Sequence, residues 1–401
     1  MVRVYRNSTE LMNLHGAPIY MADMLNACLR GRLNLFLQGD TGSGKTQLAA
    51  DAMSYFPEGK SLFILGRNDM DTRELFQQIN LEKLKTAKSS SEIKELTDKI
   101  DANLIVVDEL PNCLPAVRAQ VFNLFDGYIE ISGRKYNIGK DYSVGIATGN
   151  IGQKFTESSN ELGRALKDRM HVIIDTDYFK PTSADTLEIL SGNTNPRVEF
   201  TQEEANSVNI IKSYKQLESE LKKQIHFEKM LVVNYLIHGL DICHVGGVLT
   251  SKTKLKESWP NKVDSNQQGS DEALVLPVSI RAAKSIMRLS TALDEIAKSK
   301  GGKIDADFGD FDSMMQAYKF VSAYSGVLND ALVQEKYNGD KYSAMDALIE
   351  ATKGEFERQK ENLARMVEMV KKGKKIKGIS DEFQGRWSFV EGTLEGLVKQ
   401  S

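Results

Sequence analysis

The chain has 401 residues, a formal net charge of −3 and a charged fraction of 27%. At roughly 150 residues per domain this length predicts two or three domains, and the composition is that of a globular protein. The charge argues against a protein that mainly coats nucleic acid, and the absence of any apolar run of about 18 residues predicts no membrane span.

Cysteine usage bears on the compartment. Cys28, Cys113 and Cys243 are far apart in sequence and odd in number. A disulfide framework is therefore not expected, and a reducing compartment fits this pattern. Since the first residues lack the apolar segment of a secretory signal, we expect a cytoplasmic protein.

The first informative segment is a glycine-rich loop between a predicted strand and a predicted helix. The residues of the loop and the start of the helix are Gly39, Asp40, Thr41, Gly42, Ser43, Gly44, Lys45, Thr46 and Gln47. Their spacing fits G-x-x-x-x-G-K-[ST], in which backbone N–H groups bind phosphate. Lys45 is expected to reach the β- and γ-phosphates and Thr46 to ligate Mg²⁺. A chance match in a glycine-rich turn is the alternative.

A pair of acids follows the next buried strand. Residues 104–107 are apolar and predict a parallel strand, at whose carboxyl end Asp108 and Glu109 lie. Asp108 is expected to hold hydrated Mg²⁺ beside Thr46. Glu109 is expected to polarise a water for attack on the γ-phosphate. An exposed acidic loop is the alternative.

A helix, a hairpin and a third strand come next. Apolar periodicity predicts a helix over 115–127, and residues 127–138 predict a hairpin that turns at Ser132 and Gly133. A strand over 142–148 then leads to Asn150. The amide of Asn150 could orient the attacking water, or the residue could simply occupy a turn.

Two arginines precede a further apolar strand that begins at His171. Arg164 and Arg169 are candidates to neutralise the charge that develops during phosphoryl transfer. Surface arginines paired with Asp168 or Glu161 are the alternative.

Together these residues resemble the AAA+ ATPases, and more narrowly their MoxR-like branch, over about residues 30–295. The predicted hairpin resembles the helix-2 insert of that clade. The resemblance implies an α/β fold with a three-layer αβα P-loop core and a parallel sheet. The core is expected over 1–180, an α-helical lid over 181–303 and a C-terminal helical extension over 304–401.

The resemblance also implies roles for single residues. Arg169 matches an arginine finger that acts on a neighbouring subunit, Arg164 being the weaker candidate, and Arg281 matches a second sensor. Asn150 matches the first sensor. The residues that match the nucleotide and Mg²⁺ motifs are Lys45, Thr46, Asp108 and Glu109.

The function implied is hydrolysis of ATP by a ring, usually a hexamer, that remodels or assembles a client protein. Members of the clade often act as chaperones beside a von Willebrand factor A domain protein. One alternative is a nucleic-acid motor that uses Arg134 and Lys135 of the hairpin. Another is an ATP-binding scaffold or switch that turns over slowly.

The remaining sequence predicts helices and little chemistry. His238, Cys243 and His244 lie close enough to suggest a metal, but without a second ligand pair a packed helix end is favoured.

Residues 250–272 predict a mobile loop. A stripe of Met and aromatic residues predicts one core helix from 311 to a break at 338–340, followed by another helix. The basic run at 371–377 predicts a solvated helix end, with a phosphate or acidic-partner patch as the alternative.

Overall fold

The computed structural model describes residues 9–69, 75–79, 94–131, 133–150, 167–191, 205–223, 227–264, 271–304, 310–371 and 383–398. The chain forms two compact units, Met1–Glu218 and Ser219–Ser401. Within the described ranges, no helix combines the length and the apolar character needed to cross a membrane.

The first unit alternates strands and helices. Its strands are β1 Glu10–Leu14, β2 Ala17–Tyr20, β3 Leu35–Gln38, β4 Ser61–Leu65, β5 Gln77–Ile79, β6 Lys94–Leu96, β7 Leu104–Asp108, β8 Tyr128–Ile131, β9 Arg134–Asn137, β10 Val144–Gly149 and β11 Val172–Asp175. Its helices are α1 Met21–Gly31, α2 Lys45–Met53, α3 Pro115–Phe125, α4 Ser183–Ser191 and α5 Ala205–Lys223, the last of which contains the boundary between the units.

A five-stranded parallel sheet in the order β11-β3-β10-β7-β4 organises this unit. Every residue of β3, β7 and β10 is buried. Strands buried on both faces are mostly apolar along their length and lack the alternation of apolar and polar residues, which explains their sequence pattern. Because the strands are parallel, the segments that follow β3, β7 and β10 emerge at the same edge. The predicted α/β class with a parallel sheet is confirmed.

The helix and hairpin predicted between the acids and the third strand are also present. Helix α3 buries Val117, Val121, Leu124 and Phe125 on one face. It lies close to β10, since a Cβ added at Gly145 would be 1.9 Å from the ring of Phe125. Strands β8 and β9 pair antiparallel, as predicted.

The second unit is mainly helical and contains one described hairpin. Its elements are α6 Phe227–Asn234, β12 Ile242–Val245, β13 Val248–Ser251, α7 Lys252–Leu255, α8 Ile280–Ser299, α9 Asp310–Ser322, α10 Asp330–Tyr337, α11 Lys341–Lys371 and α12 Phe389–Val398. The lid and extension predicted over 181–303 and 304–401 stay a prediction.

Two expectations for this unit are wrong. The predicted helix from 311 onward divides into α9 and α10, because Gly326 adopts a φ of 87° and Val327 accepts a backbone hydrogen bond from Leu276. The predicted mobile loop over 250–272 begins instead with the end of β13 and helix α7. In the first place a contact between distant segments decides the backbone, and in the second the local hairpin of β12 and β13 does.

The metal alternative finds no support in the described part of the second unit. Nδ1 of His244 lies 2.8 Å from Oε1 of Glu272, and Cys243 is fully buried. No group of three or more potential ligand residues occurs among the described residues. Instead, Arg386 donates two hydrogen bonds of 2.6 Å to the buried Asp271. The cluster therefore joins segments of the fold.

Lys252 is buried beside this cluster, with Nζ 3.4 Å from the carbonyl oxygen of Asp271, and it provides a stability test. Its side chain is 1% exposed, Nζ donates to the carbonyl of Val275 at 2.8 Å, and burial lowers its pKa from 10.5 to about 8. Between these two values the unfolded chain binds more protons than the folded one. The free energy of unfolding of the wild type should therefore rise with pH relative to that of Lys252→Met, by at most about 1.4 kcal/mol per pH unit.

Urea unfolding at pH 7.5 and 9.5, followed by tryptophan fluorescence, measures this difference. Both tryptophans, Trp259 and Trp387, belong to the second unit. Lys254→Met replaces an exposed neighbour and serves as the control. A difference between wild type and Lys252→Met that does not change with pH contradicts the prediction.

Candidate functional site

The glycine-rich loop connects β3 to α2 at the carboxyl edge of the sheet. Gly39, Gly42 and Gly44 have φ values of 149°, 79° and 81°, in the region that glycine enters without strain. A Cβ added at Gly39 would lie 2.3 Å from Oγ1 of Thr176. Gly44 is the N-cap of α2 and offers no side-chain acceptor, so the first N–H groups and the positive end of the helix dipole are available to an anion.

Lys45 is held by the loop itself. Its Nζ donates to the carbonyls of Gly39 at 3.0 Å and Asp40 at 2.7 Å, and to Oγ of Ser43 at 3.3 Å. The side chain is only 7% exposed although it carries a charge. Gln47 points along α2, where its amide donates to Asp51 at 2.8 Å. The loop thus combines a buried cation with backbone donors, which is the composition that a polyphosphate requires.

Asp108 connects the loop to the neighbouring strands. Oγ1 of Thr46 lies 2.9 and 3.1 Å from the two carboxylate oxygens of Asp108, and Oγ1 of Thr148 donates to Oδ1 at 2.5 Å. Asp108 is 7% exposed. A threonine hydroxyl beside a carboxylate is a set of hard oxygen ligands of the kind that Mg²⁺ takes together with phosphate oxygens. These residues therefore fit the predicted Mg²⁺ ligands.

Glu109 has an unusual backbone for a residue with a side chain. Its φ is 54°, in the left-handed region that is uncommon for a residue with a Cβ. Its N–H donates to Oγ1 of Thr148 at 3.0 Å, and its exposed carboxylate accepts from Nδ2 of Asn112 at 2.5 Å. The side chain therefore leaves the sheet edge toward solvent while the backbone stays anchored.

Two glycines allow the chain to pass close to the acids. A Cβ added at Gly66 would lie 2.5 Å from the carbonyl of Glu109, and one added at Gly149 would lie 2.6 Å from Pro111. Cys113, just beyond, is fully buried, and burial raises the pKa of its thiol. That cysteine is therefore a neutral packing residue.

Asn150 follows β10, between the ends of β3 and β7. Its Nδ2 lies 3.5 Å from Oγ1 of Thr41 in the glycine-rich loop. The structure therefore brings the loop, both acids and the predicted sensor amide to one edge of the sheet.

The predicted arginines are placed differently. Arg169 precedes the amino end of β11, which is the opposite edge from the loop. Its Nε donates to Asp126 at 3.1 Å, and its guanidinium lies 5.1 Å from the ring centroid of Phe122. Arg164 lies outside the described residues. Arg281 lies in the first turn of α8 and belongs to the second unit.

Three polar residues of the site were not recognised from the sequence. Oδ2 of Asp177 accepts from the N–H of Asp40 at 2.7 Å, and Oγ1 of Thr176 lies 2.7 Å from Oγ of Ser43. Thr148, described above, is the third. A usable signal was present, since all three lie at or just beyond the ends of apolar strands, like Asp108.

Comparisons with known proteins agree with this geometry. Residues 34–170 match the family model described as AAA domain (dynein-related subfamily). A crystal structure of a protein from Cytophaga hutchinsonii ATCC 33406, named as a candidate ATPase, is similar with a TM-score of 0.54 and 14% identity, over 82% of this chain and 88% of that chain. At this identity the similarity shows the fold alone. None of the curated proteins matches the chain.

Proposed function

Residues 34–170 form an AAA domain of the dynein-related, MoxR-type subfamily, and from this premise we propose that the protein is an ATPase that converts ATP to ADP and phosphate. The observation that carries the proposal is the meeting of three groups at one sheet edge. These are the glycine-rich loop with its buried Lys45, the Thr46–Asp108 pair and the exposed carboxylate of Glu109.

Each group has a role that its position supports. The loop N–H groups, the start of α2 and Lys45 bind the phosphates, and Thr46 and Asp108 hold Mg²⁺. Mg²⁺ held there would supply positive charge that offsets the charge of the phosphates. Glu109 accepts a proton from the attacking water, and Asn150 orients that water.

The proposed site takes its arginine from a neighbouring subunit. Arg169 lies at the amino edge of the sheet, away from the loop of its own chain. We therefore assign it to the nucleotide of an adjacent protomer in a homo-oligomeric ring, with six subunits as the family's usual number. By the resemblance to the AAA+ ATPases, Arg281 remains the candidate second sensor.

Hydrolysis is proposed to drive remodelling or assembly of a client protein, with a von Willebrand factor A domain protein as a candidate partner. A nucleic-acid motor is the second candidate, because Arg134 and Lys135 are both exposed on β9. ATPase activity that DNA or RNA stimulates in a salt-dependent manner would favour that candidate. The third candidate is an ATP-binding switch that turns over slowly. The measured turnover of the wild type tests it, because rapid turnover would exclude it.

Lys45→Ala tests the ATPase assignment. The wild type is expected to release phosphate from ATP only with Mg²⁺. The variant should lose about 100-fold or more of this turnover, because the only side-chain cation of the loop is removed from the phosphates. Phosphate release and binding of a fluorescent ATP analogue provide the measurements.

Lys99→Ala, which removes an exposed lysine of the same unit, serves as the control. A wild type without Mg²⁺-dependent phosphate release, or a Lys45→Ala variant as active as the control, would refute the assignment.

A further inference from the structure

One hydroxyl in β10 contacts both acids of the site. Thr148 is 1% exposed and lies at the end of the central strand, one residue before Gly149. Its Oγ1 donates to Oδ1 of Asp108 at 2.5 Å and accepts from the N–H of Glu109 at 3.0 Å. No sequence motif invoked above assigns this residue a role.

We propose that Thr148 is a positioning residue that fixes the carboxylate of Asp108 and the backbone of Glu109 with a single hydroxyl group. The inference rests on the proposed ATPase function for its catalytic meaning. Its structural part concerns residues of this chain alone and is testable without turnover.

The hydrogen-bonding capacity of a hydroxyl explains why one group can hold both the carboxylate of Asp108 and the backbone of Glu109. A hydroxyl carries one hydrogen and two lone pairs. The hydrogen is directed to Asp108, so a lone pair remains for the N–H of Glu109. Since Asp108 also accepts from Thr46, its carboxylate is held from two sides, which limits its rotation. A residue that orients a metal ligand in this way tunes the metal site without touching the metal.

The anchoring of Glu109 has a second consequence. Its positive φ is unfavourable for a residue with a Cβ and persists only where surrounding contacts determine it. The bond from its N–H to Thr148 is such a contact, and it joins Glu109 to the centre of the sheet. Without it the peptide can relax toward a common conformation, and the carboxylate then leaves its position over the sheet edge.

A simple packing role is the competing explanation. Threonine is β-branched and fits a buried strand whether or not its hydroxyl is used. Thr148→Val retains this shape and removes the hydroxyl, whereas Thr148→Ser retains the hydroxyl and removes a methyl group. The two variants therefore separate the hydroxyl from the packing.

Hydrogen exchange of the Glu109 amide in nucleotide-free protein is the first measurement. Thr148→Val is expected to exchange at least about 10-fold faster at this amide, because it loses its acceptor, while Thr148→Ser exchanges like the wild type. Thr352→Val is a matched control, since Thr352 is also 1% exposed but its Oγ1 donates within α11. Thermal unfolding confirms that each variant is folded, and Thr148→Ala replaces Thr148→Val if the latter does not fold.

The Mg²⁺ concentration that half-saturates binding of a fluorescent ATP analogue is the second measurement, and steady-state kinetics the third. In Thr148→Val we expect the Mg²⁺ requirement to rise and kcat to fall, each by about 10–100-fold. The KM for ATP at saturating Mg²⁺ should change little. Thr148→Ser should restore wild-type values.

The outcomes are distinct. Unchanged exchange at Glu109 and an unchanged Mg²⁺ requirement in folded Thr148→Val overturn the proposal. Equal defects in Thr148→Ser and Thr148→Val also overturn it, because they indicate packing. A wild type without turnover defeats the proposed ATPase function, yet the exchange measurement still decides whether Thr148 anchors Glu109.

Discussion

Glu109→Gln is expected to bind ATP with nearly wild-type affinity and to hydrolyse it about 100- to 10,000-fold more slowly, the range of a lost general base. Glutamine has the shape of glutamate, and its amide oxygen can still accept from Asn112, which lies 2.5 Å from the carboxylate in the wild type. The backbone contact with Thr148 is also kept. The substitution thus removes only the capacity to take a proton from water.

Phosphate release in a single turnover measures the rate, and binding of a fluorescent ATP analogue measures the affinity. Glu130→Gln changes an exposed glutamate on β8 in the same way and should behave like the wild type. If Glu109→Gln loses less than about 10-fold in rate, Glu109 is not the base and the assignment fails.

The same variant can identify the client. Because it is expected to remain in the ATP-bound state, affinity capture with Glu109→Gln in the presence of ATP should retain what the protein holds at that stage. Recovery of nucleic acid without protein would reverse the ranking of the two candidate functions. Recovery of a von Willebrand factor A domain protein would support the first.

The meeting of the main site residues at one sheet edge could be predicted because its signals are local in sequence. Lys45 and Thr46 are fixed by spacing within one loop, and Asp108 and Glu109 directly follow one apolar run. Each of these groups needs only its own strand and the turn after it. Local patterns of this kind are retained in the fold because parallel strands present their carboxyl ends together.

The contacts of Thr148, Thr176 and Asp177 could not be predicted in the same way. They depend on which strands are neighbours, namely β10 between β3 and β7, and β11 beside β3. Strand order is decided by packing over the whole sheet, so the sequence of a single segment does not predict it. The same reason explains why the helix predicted from 311 onward was wrong, since its break depends on the pairing of Val327 with Leu276.

The sheet topology also determines which edge of the sheet Arg169 lies at. The sequence places it just before a strand, and the parallel pairing of β11 with β3 shows that this start of the strand lies at the edge opposite the loop. An arginine at that edge either joins elements of its own subunit or serves another subunit. Its ion pair with Asp126 at 3.1 Å supports the first role, and its 29% exposed side chain permits the second.

Arg169→Ala separates these roles. If the guanidinium stabilises the transition state of a neighbouring site, the variant should bind ATP normally and lose about 1,000-fold or more in turnover. Asp126→Asn removes the partly exposed ion pair without removing the arginine, and such pairs contribute only about 0–1 kcal/mol, so it should remain active. Arg358→Ala, which removes an exposed arginine paired with Glu355 within α11, is a further control.

A mixture of two inactive variants provides the decisive measurement. In a ring with head-to-tail interfaces, a subunit carrying Arg169→Ala still has Glu109, and a neighbour carrying Glu109→Gln still has Arg169. Equal mixing and reassembly should therefore restore about a quarter of wild-type turnover, the fraction of interfaces that combine the two intact residues. Mixing that restores nothing, or an Arg169→Ala variant that is active alone, shows that Arg169 does not act across the interface. Equal losses in Arg169→Ala and Asp126→Asn would show that the arginine only joins α3 to β11.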